Sequence, residues 1–397
     1  MTITRRKLIK SAAAGLAGTL LAPGLALPAR PRTRKTLRIG YLPITDATPL
    51  LIAHARGYFQ AEGIKAQRPI RIRSWSSLTE SFLTDKFDVT HMLLPIPIWM
   101  RFKNKAPIKV LAWDHTNGSA LTVRADGGIN SFADLGGRQI AVPYWYSMHN
   151  IILQMGIKKA GLIPVIRPQS MPLAANEVNI FILPPSGMPA SLAGRKIDGY
   201  IVAEPFNALA ELKIGARIMR FTGDMWKNHP CCVVVMKDFY LKNDPVFTQK
   251  VINAIVRAQL WSKNNRLETA HILSRQGGNY LPVSEKVLRR VFTKYDLKTY
   301  GRPNKPAAIQ HPEWRSNRID FQPWPYPSAT RFITRAMRDT LVEGDHSFLF
   351  RLNPEQAASE LVDYKFVKKA IELMGGMGRF GELDFTSPWE REEVIAI

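Results

Sequence analysis

The sequence predicts an α/β protein of two lobes, each an open doubly wound sheet, with a helical C-terminal extension. Short β-prone runs centred on Ile39, Ile72, Val89 and Val110 alternate with helical patterns, which implies parallel pairing. A second alternation follows Val123, with strands at residues 139–142, 178–183 and 198–202 and a helix over 147–160. At 397 residues the chain is also long enough for two separate cores.

Residues 1–29 read as a signal peptide of the twin-arginine type. Arg5, Arg6 and Lys7 precede a weakly apolar run from Ser11 to Ala22, and small residues at Gly24, Ala26 and Ala29 offer a cleavage site. That run is too short to span a bilayer, and no later stretch is apolar for long enough. The expected location is the periplasm, free or held at a membrane surface. Removing the leader lowers the formal charge from +23 to +19, because it takes Arg5, Arg6, Lys7 and Lys10 with it. The remaining Lys and Arg residues are scattered rather than gathered in a stripe, which argues against nucleic acid. Such a field draws in anions or holds the protein near anionic lipid, or it only keeps the protein soluble.

The stretch 37–64 then opens the first lobe. A strand runs into Thr45-Asp46, and a helix starts at Thr48-Pro49, with Thr48 as cap and Pro49 presetting φ. Leu51, Ala55 and Phe59 line one apolar stripe. Backbone N–H groups left free at such a helix start suit an anion or a small polar ligand.

Ligands of open α/β sheets bind beyond the C-terminal ends of strands, so the loops there supply the candidate residues. Thr45 and Asp46 form the first. Trp75 offers an indole donor, and Ser77 with Glu80 reads as a capping box. His115 and Asn117 lie in the third loop, where Asn117-Gly118 also suits a plain tight turn. In the fourth, Ser147 stands at an N-cap position before Met148 and His149, with Tyr144, Trp145 and Tyr146 nearby to exclude water. Glu204-Pro205-Phe206-Asn207 and, further on, Asp224-Met225-Trp226-Lys227-Asn228-His229-Pro230 complete the set.

Strands at 216–221 and 231–236 accompany the return of the chain to the first lobe. Helical patterns follow at 245–263, 267–274, 284–294, 329–342 and 354–374, and the Pro-rich segment from Pro303 to Pro327 reads as an ordered surface excursion. The adjacent Cys231 and Cys232 would point to opposite faces of a strand, so neither a disulfide between them nor a cysteine metal site is expected. One is read as a buried thiol and the other as packed against a neighbour. Gly376-Met377-Gly378-Arg379-Phe380-Gly381 matches a dinucleotide fingerprint but follows a helical pattern, not a strand, so that reading fails. The eight histidines lack metal-ligand spacing, and no nucleophile motif occurs.

The opening segment, the Ser147-Met148-His149 step, the Glu204-Pro205-Phe206-Asn207 motif and the Asp224–Pro230 step together resemble the periplasmic substrate-binding proteins of nitrate, sulfonate, taurine and bicarbonate ABC importers. The resemblance spans about residues 37–273. It implies the type II periplasmic-binding-protein fold, with lobe 1 at 36–120, lobe 2 at 121–222 and the rest of lobe 1 with the helical region at 223–397. It further implies an extracytoplasmic solute-binding component, a monomer rather than an enzyme, which closes on a small oxyanion and docks on a membrane permease. Lys227 would neutralise the anion. Cys231-Cys232 replaces the Glu-Lys usual in the nitrate branch. A carboxylate beside an anion is unfavourable unless a cation intervenes, so Glu204 pairs with Lys227, faces calcium (implied only for bicarbonate), or braces the hinge, the last being the expectation. No other cofactor is implied. The alternatives are a binding protein for a heteroaromatic ligand such as a thiamine precursor or riboflavin, or an enzyme of thiamine-pyrimidine synthesis.

Overall fold

The computed structural model describes residues 36–301, 307–381 and 387–397, so the leader expected at 1–29 lies outside it. In chain order the strands are β1 (Ile39–Tyr41), β2 (Ile70–Arg71), β3 (Val89–Leu93), β4 (Ile108–Trp113), β5 (Thr116–Asn117), β6 (Ser119–Val123), β7 (Arg138–Val142), β8 (Ile163–Val165), β9 (Glu177–Ile182), β10 (Gly199–Ala203), β11 (Arg217–Phe221), β12 (Cys232–Lys237) and β13 (Ile319–Asp320). The first sheet has the order β2-β1-β3-β12-β4. Its early strands are parallel, and β12 inserts antiparallel between β3 and β4. The second sheet has the order β11-β6-β10-β7-β9-β8. Strands β3, β6 and β10 are buried along their whole length, as expected for sheets covered by helices on both faces.

Two segments carry the chain between the sheets, 114–118 outward and 222–231 back. They run side by side, joined by a bridge between Thr116 and Pro230 and by the bond from the Asn117 N–H to the His229 carbonyl, 3.0 Å. Asn117 itself has φ 61°, so it does adopt the left-handed turn conformation that Asn tolerates.

Several local expectations change. The strand expected at 216–221 pairs with β6 in the second sheet, so the chain turns back to the first sheet only after it. Thr48 is the first residue of its helix (Thr48–Ala55), not its cap, because a 3₁₀ turn over Thr45–Ala47 precedes it and Ala47 takes the cap position. The helix expected over 354–374 is two helices, Pro354–Leu361 and Tyr364–Leu373, since Val362 leaves the helix to pair with Val110 and Asp363 caps the second helix. The segment around Pro303–Pro327 is no surface excursion over its described part. Ile319, Phe321, Trp324 and Tyr326 are buried, and β13 pairs with β5 at the crossover. Apolar residues at alternate positions sink that segment into the core, where the prolines had suggested a loop.

Candidate functional site

Loop ends from both sheets meet at the crossover. Thr45 and Asp46 follow β1, Asp114 and His115 follow β4, Ser119 opens β6, and His149 lies in the first turn of the helix Met148–Lys159 that follows β7. Because β12 is antiparallel to β3 and β4, its first residues lie at the edge where those strands end or begin their loops. Cys231 stands just before β12, outside the ladder, so the alternation of faces that would separate it from Cys232 has not begun.

The result is one buried polar cluster. Asp46 Oδ2 lies 2.9 Å from His115 Nε2 and accepts from Cys231 Sγ at 3.4 Å. Ser119 Oγ lies 2.9 Å from His149 Nε2 and 3.9 Å from Cys231 Sγ. The Cys232 N–H points at His115 Nε2, 3.4 Å away. Ligand atoms of Asp46, His115, Cys231 and Cys232 all lie within 4.8 Å of one another, and all four residues are fully buried.

Burial dominates the electrostatics. It pushes Asp46 up to about 6 against the pull of His115. It also penalises the His115 cation, yet Asp46 holds that imidazole well above its ordinary value. Burial would raise Cys231, but the hydrogen bond with Cys232 and the charge of His149 bring it well below an ordinary thiol, while Cys232 is driven up. Burial keeps His91 and His229 neutral, pulling them down to about 3 and about 4.

Many polar atoms of this cluster and its surroundings lack a hydrogen-bond partner among the described residues: Asp46 Oδ1, both Asp114 carboxylate oxygens, Asn117 Oδ1, Trp75 Nε1, and Nδ1 of His91, His115 and His149. Buried polar groups are ordinarily paired, so these atoms single the cluster out as the candidate site.

The candidate residues are distributed unevenly. Asp46, His115 and His149 belong to the cluster. Thr45 donates its backbone N–H and Oγ1 to the Glu204 carbonyl, at 2.9 and 3.1 Å, and the Glu204 N–H donates to Gly118, so the Glu204 peptide ties both lobes to the crossover. The Glu204 carboxylate is paired with Arg318, whose Nε and Nη2 reach Oε1 at 2.7 and 2.6 Å, while Oε2 caps Ala208. Trp75 is buried with its ring edge-on to His91, centroids 5.5 Å apart. Ser147 caps its helix by accepting from the Asn150 N–H at 3.0 Å, with Met148 buried behind it. Ser77 does not join the site. It is exposed, and Ser74 caps the helix Trp75–Leu83 by accepting the Ser77 N–H. Asn117 braces the crossover through Nδ2 to the Asn317 carbonyl. Lys227 is half-buried beside the C-terminal tail, its N–H bonded to the Val394 carbonyl. Sequence reasoning missed Arg318, Ser119, His91 and the convergence of the two cysteines. Of these, only the adjacency of Cys231 and Cys232 left a signal in the sequence, since the others are brought in by distant segments.

A family model described as the NMT1-like family matches residues 30–274. The chain belongs to the NMT1-like family. It is 28% identical over 259 residues to the nitrate/nitrite binding protein NrtA of Nostoc sp., a match covering 60% of this chain and 56% of that protein. The chain thus spans about half the length of that relative. Among solved structures, the periplasmic nitrate-binding protein NrtA of Synechocystis superposes with a TM-score of 0.71 at 17% identity, over 91% of this chain and 94% of that one. The periplasmic aliphatic sulphonate binding protein SsuA of Escherichia coli gives 0.58 at 15% identity, over 83% and 92%. The fold is therefore the two-lobed one of periplasmic binding proteins. These relatives are binding proteins by name, and no helix among the described residues is long and apolar enough to cross a membrane.

Proposed function

We propose that this protein is the periplasmic solute-binding component of an ABC importer, a monomer that closes its lobes on a small oxyanion and docks on a membrane permease. Nitrate, bicarbonate and a sulfonate are the ligand candidates. The observation supporting an oxyanion is the set of unpartnered buried nitrogens supplied from both lobes, Trp75 Nε1 and Nδ1 of His115 and of His149. An oxyanion accepts several such bonds at once, and each is stronger to a charged acceptor than to a neutral one. Among the described residues, Trp75, Trp145 and Tyr146 do not face one another. Tyr146 stacks on Trp99 at 5.5 Å, Trp145 Nε1 donates to Glu343, and Trp75 is edge-on to His91, which disfavours a heteroaromatic solute. The relatives named above are binding proteins, which favours this reading over an enzyme.

Calorimetry of the chain freed of its leader, against nitrate, bicarbonate, cyanate, taurine, alkanesulfonates and thiamine precursors, tests the reading. One oxyanion should bind at one-to-one stoichiometry. Trp75→Phe keeps the ring and deletes the donor, and should weaken that ligand by roughly tenfold to a hundredfold, the worth of about 1.5–3 kcal/mol for a bond to a charged group. Lys227→Met, which keeps the stem and deletes the ammonium, should weaken it comparably. Binding of a thiamine precursor with no response to any anion would overturn the proposal.

A further inference from the structure

We propose that Asp46, His115, Cys231 and Cys232 form a binding site for a thiophilic divalent cation of the zinc class. The inference goes beyond the solute reading and holds whichever solute the cleft takes. Three separate segments deliver these ligands, the turn after β1, the loop after β4 and the start of β12, so their meeting is a product of the fold and not of sequence proximity alone. All four ligand atoms fall within 4.8 Å of each other. Two of the edges are already short, 2.9 Å from Asp46 to His115 and 3.4 Å from Asp46 to Cys231. Metal–ligand bonds of about 2.0–2.3 Å in a tetrahedron need edges of roughly 3.3–3.8 Å, so small side-chain shifts suffice.

A second observation points the same way. Without an ion, His115 Nε2 faces the Asp46 carboxylate and the Cys232 N–H together, an acceptor and a donor that one ring nitrogen cannot serve at once. A cation resolves the packing of acceptors by binding them jointly. The donor set chooses among metals. Two sulfurs exclude magnesium and calcium, which take oxygen ligands. A carboxylate with an imidazole and two thiols fits zinc, which accepts N, O and S in a tetrahedron.

The test uses the full chain, reduced, stripped with a chelator and kept free of oxygen. Cobalt(II) should bind at one equivalent, with an intense thiolate-to-cobalt charge-transfer absorption and the visible bands of a tetrahedral ion, and zinc should displace it. Bound zinc should protect both thiols from alkylation and raise the melting temperature. Cys231→Ser and Asp46→Asn should each weaken cobalt at least tenfold. Cobalt binding without thiolate charge transfer, alkylation indifferent to zinc, or unchanged affinity in Cys231→Ser would each overturn the assignment. Should either variant fail to fold, the absorption and alkylation of the unaltered chain decide alone.

Discussion

Glu204 and Arg318 show how a single residue pair is fixed by burial. Arg318 is held between two carboxylates, Glu204 and Glu211, and also donates to Tyr300 Oη at 2.9 Å. The side chains of Glu204 and Arg318 are 0% and 1% exposed, so removing one partner strands the other without water. Arg318→Met should therefore cost about 3–5 kcal/mol of unfolding free energy in denaturant titration. Adding Glu204→Gln to that variant should recover part of the loss, and no recovery would mean that packing rather than charge sets the cost. Glu211 makes the pH prediction. Burial pushes its carboxyl up, but hydrogen bonds from Arg290 and Tyr300 and the charge of Arg318 more than offset this and hold it below its ordinary value. A depressed carboxylate stabilises the fold above its unfolded value, about 4.3, and that contribution fades as pH falls through the lower folded value. The stability gap between the wild-type chain and Glu211→Gln should accordingly be full near neutral pH and narrow below about pH 4. A gap independent of pH would show that Glu211 acts by shape alone.

Among elements, the helix Met148–Lys159 best separates local from tertiary effects. Ser147 caps it, as its residue type and position indicate, and Ser147→Ala should cost about 0.5–2 kcal/mol. Gly156 sits within the same helix, where Ala would ordinarily add about 1 kcal/mol of helix stability. At this position, however, a Cβ would land inside the Phe132 ring. Overpacking of that kind costs about 1–3 kcal/mol, so Gly156→Ala should lower the melting temperature despite its better propensity. A raised melting temperature would mean that Phe132 moves aside freely. The strand β12 carries the same contrast. Its apolar, β-branched run is plain in the sequence, whereas its place between β3 and β4 depends on the chain coming back from the second sheet.

At the scale of the molecule, access to the site requires motion. Asp46, His115, Ser119, His149 and Cys231 are all essentially without exposure, so on the proposed reading a solute would enter by the lobes parting about the paired crossover segments. Differential affinity for the closed arrangement would then drive closure. Solution scattering should record a smaller radius of gyration at saturating solute than without it. An unchanged radius on binding would rule out hinge closure as the mode of entry.

Local chemistry determined much of this protein from the sequence alone. The alternation of strands and helices, the cap at Ser147 and the turn at Asn117 all rest on neighbours within a few residues, and short motifs in a set order place the chain in its family. Boundaries failed where tertiary contacts overrode propensity, as at Val362, which leaves its helix to pair with Val110. The candidate site was half legible. Strand ends named Asp46, His115, His149 and Glu204 because ligands of such sheets gather there. Tertiary structure alone decided what those residues face. Arg318 reaches Glu204 from 114 positions away, and Cys231 meets Asp46 across 185. No periodicity encodes such pairings, since they arise from how two sheets and their crossover pack rather than from the spacing of residues along the chain.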